Sequence, residues 1–166
     1  MDRLRTTESR GKVRWEEFDL DAGVWIIPAA RMKKREQHVV PLPSQALATL
    51  KLLRTLMPHG EVLFPNGHDP KRSAGNTFLN KVVTRLGFKG FSAHGIRATG
   101  STMLHDMAFR SEVIEHQLAH VERNKTKAAY NRAGYLEERR QIMQTWADYL
   151  DGLRAGGKVT SIKRTG

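Results

Sequence analysis

The chain has 166 residues, room for one domain of ordinary size, and its 39% hydrophobic content allows a core with little to spare. It has no cysteine, which excludes disulfides and thiolate metal sites, and no apolar run long enough to span a membrane. Lys and Arg number 28 against 17 Asp and Glu, a formal net charge of +11, so the partner that composition favours is a polyanion such as nucleic acid.

The N-terminus, "MDRLRTTESR", lacks the apolar stretch of a signal peptide, and the expected compartment is the cytoplasm. Extended segments come first. "FDL" runs into Asp21-Ala22-Gly23, a turn-forming triplet, and "VWII" is a short apolar strand stopped by Pro28. "EQHVVPL" is a third strand, its Pro41 marking a strand end or edge. "AARMKKR" is then the exposed connection before that strand, and the three segments predict a small antiparallel sheet.

Helices follow. Ser44 is placed to cap "SQALATLKLLRTLM", where Leu47, Leu50, Leu53 and Leu56 recur near the helical period, and Pro58, His59 and Gly60 end it. After the loop "VLFPNGHDP", a second helix is expected over 73–87, with Phe78, Val82 and Leu86 on one face and Gly87 as its stop. Ser92 is placed to cap a third over 92–107, and Ser111 a fourth over 111–120. A short fifth covers 124–133, and a long sixth covers 135–154 with Leu136, Met143, Trp146 and Leu150 near one stripe. The remainder, 155–166, is Gly-rich and basic and is expected to be disordered. The fold class expected is α+β and mostly helical, with a three-stranded sheet near the N-terminus and a helical body.

Four polar residues stand out by their order. His94 and Arg97 lie three apart on one helix face, near a helix N-terminus, where amide groups and the macrodipole favour an anion. His120 follows Leu118-Ala119 at a helix end, and Tyr130 lies ten residues later in a basic stretch. Singly, each has an ordinary reading: a surface histidine, a salt-bridged arginine, a C-terminal helix cap, a packed ring.

Together, "HGIR", "LAH" and "AAYNR" resemble the catalytic half of the tyrosine recombinases, the phage-integrase family, and in particular the prophage integrases that enter tRNA genes. "RWEEFDLDAGVWIIPAARMKKREQHVVPL" is similar to that family's three-stranded sheet and "YLEERRQIMQTWADYLD" to its C-terminal helices, so the resemblance covers nearly the whole chain. It implies a site-specific DNA recombinase, a prophage integrase. Tyr130 would attack a phosphodiester, form a 3′-phosphotyrosyl link and release a 5′-hydroxyl, and the reverse attack by another strand would complete the exchange. The bond energy is kept in the intermediate, so the resemblance implies no cofactor and no metal. The partner implied is double-stranded DNA at phage and host attachment sites, with the full-length protein acting as a homotetramer near the bacterial nucleoid.

The same resemblance assigns roles. Arg97 would hold the nonbridging oxygens of the transition state through the planar, bidentate fork that lysine lacks. His94 would act as acid–base partner and His120 would hydrogen-bond a phosphate oxygen. Lys33, with Lys34 as the alternative, would protonate the leaving 5′-oxygen from the hairpin between strands two and three. The family's first arginine falls on Arg5, from "RTTE", although Trp15 lies ten residues on, one more than the family's spacing; Arg10 and Arg3 are the fallbacks. The domain expected is a catalytic domain over 1–154 that lacks its first helices and the core-binding domain, followed by a basic tail over 155–166. Two alternatives accompany this reading: a catalytically inert DNA-binding remnant of a truncated integrase, and an unrelated basic RNA- or DNA-binding module.

Overall fold

The turn chemistry near the N-terminus dictates the first architecture. In the computed structural model, which describes residues 13–33, 35–75, 77–88, 90–119 and 135–157, Asp19 Oδ1 accepts from the backbone N–H groups of Asp21 and Ala22 at 3.1 and 2.8 Å. This side-chain-closed turn reverses the chain. Gly23 completes it at φ +67°, a left-handed conformation that glycine adopts without penalty. Strands β1 (Phe18–Asp19), β2 (Val24–Ile27) and β3 (His38–Pro41) form an antiparallel sheet in chain order. Phe18 pairs with Trp25, Val24 with Pro41 and Ile27 with His38. The first strand is shorter than "FDL", because Leu20 belongs to the turn, while Trp15–Glu17 preceding it form a 3-10 turn.

Five α-helices follow among the described residues: α1 (Ser44–Leu56), α2 (Phe78–Arg85), α3 (Ala93–Asp106), α4 (Ser111–Gln117) and α5 (Leu136–Arg154). The α+β, mostly helical class is as the sequence predicts. The helix expected over 124–133 lies outside the described residues. Several boundaries differ. Ser44 is not the cap of α1 but its first residue, and its N–H is satisfied from afar by Gln144 Oε1 of α5 at 2.9 Å. Ser111 likewise opens α4, with Arg110 at the cap position and no side-chain cap bond. Ser92 does cap α3, its Oγ accepting from the Gly95 N–H at 3.1 Å. Helix α2 starts only at Phe78, because Ser73 is engaged in an antiparallel bridge with Pro65. Gly87, at φ +87°, stops it as expected. Ala155, Gly156 and Gly157, the first residues of the expected tail, close the end of α5 by bonds to the carbonyls of Asp151, Leu153 and Gly152. The remainder of the tail lies outside the described residues.

Two apolar clusters form the core. The first joins Val13, Trp15, Leu50 and Leu63, with Phe18, Trp25 and Leu53 against them, and packs the sheet onto α1. Residues 13–15 pair with 61–63 through Leu63 N–H to Val13 O and Trp15 N–H to Glu61 O, so the segment entering the sheet is held by the loop after α1. The second joins Leu104, Val113, Ile114 and Ile142 of α3, α4 and α5, with Tyr135 and Trp146 against them. Val113, Ile114 and Ile142 are buried almost completely, each contributing about 1.5–3 kcal/mol relative to exposure.

Helix α5 joins the two halves. Its buried line is Arg139 and Ile142, flanked by half-buried Tyr135 and Trp146. The expected stripe is therefore rotated: Leu150 is 44% exposed, while the charged Arg139 lies inside. Its polar face bonds the N-terminal half, with Gln144 and Asp148 holding Gln45 of α1, and Arg140 reaching the Ala22 carbonyl at 3.3 Å. The periodic leucines of α1 divide similarly, Leu50 being buried and Leu56 70% exposed. On α2, Val83 is the buried residue and Leu86 is exposed.

Candidate active site

Three elements carry the chemistry-bearing residues that the structure describes: the β2–β3 hairpin, α3, and the turn after α4. Arg97 lies on the exposed side of α3, one turn after His94, and its Nη2 donates a hydrogen bond to the Leu118 carbonyl. Leu118 is the C-cap of α4, and Ala119 after it takes a left-handed φ of +54°, turning the chain directly before His120. Arg97 is thus bound to the segment from which His120 and then Tyr130 continue. His120 and Tyr130 themselves, together with Arg5, its fallbacks Arg3 and Arg10, and the alternative lysine Lys34, lie outside the described residues.

His94 is the second residue of α3 and is exposed. The amides around it are partly committed: Ala93 N–H donates to Asn80 Oδ1 at 2.9 Å and Gly95 N–H to Ser92 Oγ. Those two amides are thus engaged within the protein, and what this helix start offers a negative charge is chiefly its macrodipole.

Lys33 is exposed at the hairpin tip. The connection that carries it is not uniformly exposed, contrary to its polar composition. Ala29–Arg31 form a 3-10 turn, and Arg31 folds inward to an ion pair with Glu17. Glu17 Oε2 also accepts from Trp25 Nε1 at 2.9 Å, so one buried carboxylate ties the start of the sheet, β2 and the hairpin together. Beyond the turn, Arg35 N–H donates to the Met32 carbonyl at 3.0 Å, with Arg35 at φ +54°.

The base of the hairpin docks on the end of α4. His38, the first residue of β3 and 9% exposed, places Nε2 3.4 Å from the Gln117 carbonyl oxygen. Burial, and then the neighbouring Arg139 guanidinium, lower its pKa to about 4, so its ring is neutral at physiological pH. Arg139 of α5 is 3% exposed. Its Nε donates to Gln117 Oε1 at 2.8 Å and its Nη2 to the Val39 carbonyl of β3. Burial lowers its pKa to about 10, which leaves it charged near neutrality.

Glu17, His38, Gln117 and Arg139 escape sequence reasoning. An arginine in helical register with Tyr135 and Ile142 is the trace that could have pointed to Arg139, but a periodicity counted over apolar residues passes over a charged one.

The chain matches the model of the phage integrase family over residues 3–137. It is 41% identical to prophage integrase IntA of Escherichia coli (strain K12), over 89% of this chain and 36% of that protein. It is 37% identical to the integrase of Enterobacteria phage P4, over 89% of this chain and 37% of that protein. With the integrase of Shigella phage Sf6 it shares 35% identity over 89% of this chain and 39% of that protein. The chain thus spans less than two fifths of the length of these curated relatives. No solved structure matches it.

Proposed function

The chain belongs to the phage integrase family, and on that premise we propose that it is the catalytic domain, over residues 1–154, of a tyrosine-type site-specific recombinase acting on double-stranded DNA. Tyr130 is the nucleophile. Its Oη attacks a phosphodiester phosphorus, the P–O5′ bond breaks with its electron pair going to the 5′-oxygen, and Lys33 supplies the proton that completes the 5′-hydroxyl. Arg97, with Arg5 as its partner, holds the nonbridging oxygens as charge gathers on them, His120 hydrogen-bonds one of those oxygens, and His94, as acid–base partner, takes the proton that the Tyr130 phenol gives up when Oη attacks. Attack of another strand's 5′-hydroxyl on the phosphotyrosine reverses the step and restores Tyr130.

The observation that carries this reading is the hydrogen bond from Arg97 to the Leu118 carbonyl. It fastens an exposed guanidinium to the end of α4, two residues before His120 in the chain, and the +11 charge is available to attract the DNA backbone.

A covalent trap tests it. The protein is mixed with nicked duplexes, including tRNA-gene 3′ ends, from which the released 5′-hydroxyl fragment diffuses away, and is run on a denaturing gel beside Tyr130→Phe. An adduct in the unmutated protein alone is the expected result. An adduct in both would remove Tyr130 from the role, and none in either would favour a DNA-binding module without turnover.

A further inference from the structure

The buried cation on α5 lies outside the roles just assigned, yet its two bonds span the candidate site. Arg139 donates to Gln117 Oε1 at the end of α4 and to the Val39 carbonyl in β3. These acceptors are 22 and 100 residues away in sequence. Both are neutral, and no carboxylate pairs with Arg139 among the described residues. A buried guanidinium held only by neutral acceptors is costly, and a well-packed apolar residue of similar volume is often at least as stabilising. Its two directed bonds achieve what an apolar residue could not, a fixed register between β3 and α4. Gln117 is the shared point: its side chain takes Arg139 and its backbone carbonyl faces His38 Nε2, while the next carbonyl, of Leu118, takes Arg97.

We propose that Arg139 is a positioning residue for Lys33: by tying β3 to the end of α4, it fixes the base of the hairpin relative to the arginine-bearing side of the site. The inference rests on the role given to Lys33 in the proposed function. Arg97 has its own bond to Leu118, so loss of Arg139 loosens the hairpin's hold on α4, leaving the His38–Gln117 contact between β3 and the end of α4, and keeps that arginine in place. The defect should therefore fall on protonation of the leaving group rather than on charge stabilisation at phosphorus.

The test compares two nicked duplexes that differ in one atom, the bridging 5′-oxygen or a bridging 5′-sulfur. A thiolate leaves without help, because a thiol is far more acidic than an alcohol. With the oxygen duplex, Arg139→Met is expected to form the tyrosine adduct more slowly by on the order of 10²-fold, the scale of a small misplacement of a catalytic group. With the sulfur duplex most of that loss should disappear, as it should for Lys33→Ala, and Arg139→Lys should fall between wild type and Arg139→Met. Gln117→Met removes one acceptor and keeps the cation, and must show the same selective defect; it decides the matter if the Arg139 variants do not fold. An equal loss on both duplexes, or no loss, overturns the proposal. Absence of any adduct from the unmutated protein is a different failure, which removes the catalytic reading and this inference with it.

Discussion

Arg97 on α3 and Leu118 at the C-cap of α4 are joined by a hydrogen bond from guanidinium to backbone carbonyl. One arm of the guanidinium is thereby occupied, which orients the rest of a long, flexible side chain before any DNA arrives. Replacement by lysine keeps the charge but cannot both hold the carbonyl and present a bidentate fork. Arg97→Lys is expected to bind duplex DNA within a few-fold of the wild type and to lose adduct formation by on the order of 10²–10³-fold. Equal adduct rates in a gel time course would take Arg97 out of the site.

Phosphate contacts made by a protein of net charge +11 release counterions from the duplex. The logarithm of the DNA association constant should therefore fall linearly with the logarithm of salt concentration, by about 0.9 for each phosphate neutralised. Fluorescence anisotropy across a salt series reads this slope, and a flat response would contradict electrostatic binding.

His38 gives stability a pH dependence with a definite sign. Its pKa is about 4 in the folded chain against the ordinary 6.5, held down first by burial and then by Arg139, with His116 and Arg97 adding to the effect. Between those values the unfolded chain binds the proton and the folded chain does not. The stabilisation is complete above about pH 6.5 and is lost as the pH falls towards 4. Thermal unfolding of the wild type beside His38→Phe should show the difference between them shifting against the wild type over that range. The shift should be on the order of 2 kcal/mol, allowing for the solvent that still reaches the ring edge. A constant difference would refute the burial argument.

Glu17 serves both Trp25 and Arg31 from a position only 6% exposed. Glu17→Ala removes the buried carboxylate that both Trp25 and Arg31 use and is expected to cost on the order of 3 kcal/mol. Adding Arg31→Met should recover part of that loss, because the positive charge that Glu17 balances goes with it. Urea unfolding of the single and double variants measures the coupling, and simple additivity would mean that the pair does not act as a unit.

Much of the fold can be read along the chain because its causes are local. The Asp21–Gly23 turn and Pro28 bracket β2 where the structure has it, Ser92 caps α3 through its own side chain, and Gly87 ends α2. Chain order likewise sufficed to single out His94, Arg97, His120 and Tyr130 as a set, since the resemblance lies in residue types and spacing. Where the cause is distant, the sequence is silent. Ser44 and Ser111 are ideal caps in isolation, but Ser44 gets its acceptor from Gln144, 100 residues on. Arg139 reads as a solvated charge on a helix surface until packing turns it inward between Gln117 and Val39. A charged group is buried only when acceptors from other elements surround it, and no local pattern encodes which elements those will be. The types of residue available for chemistry were therefore visible from the start, whereas the carbonyl that holds Arg97 came only with the packing of α3 against α4, and the two acceptors of Arg139 only with the packing of α5 against β3 and α4.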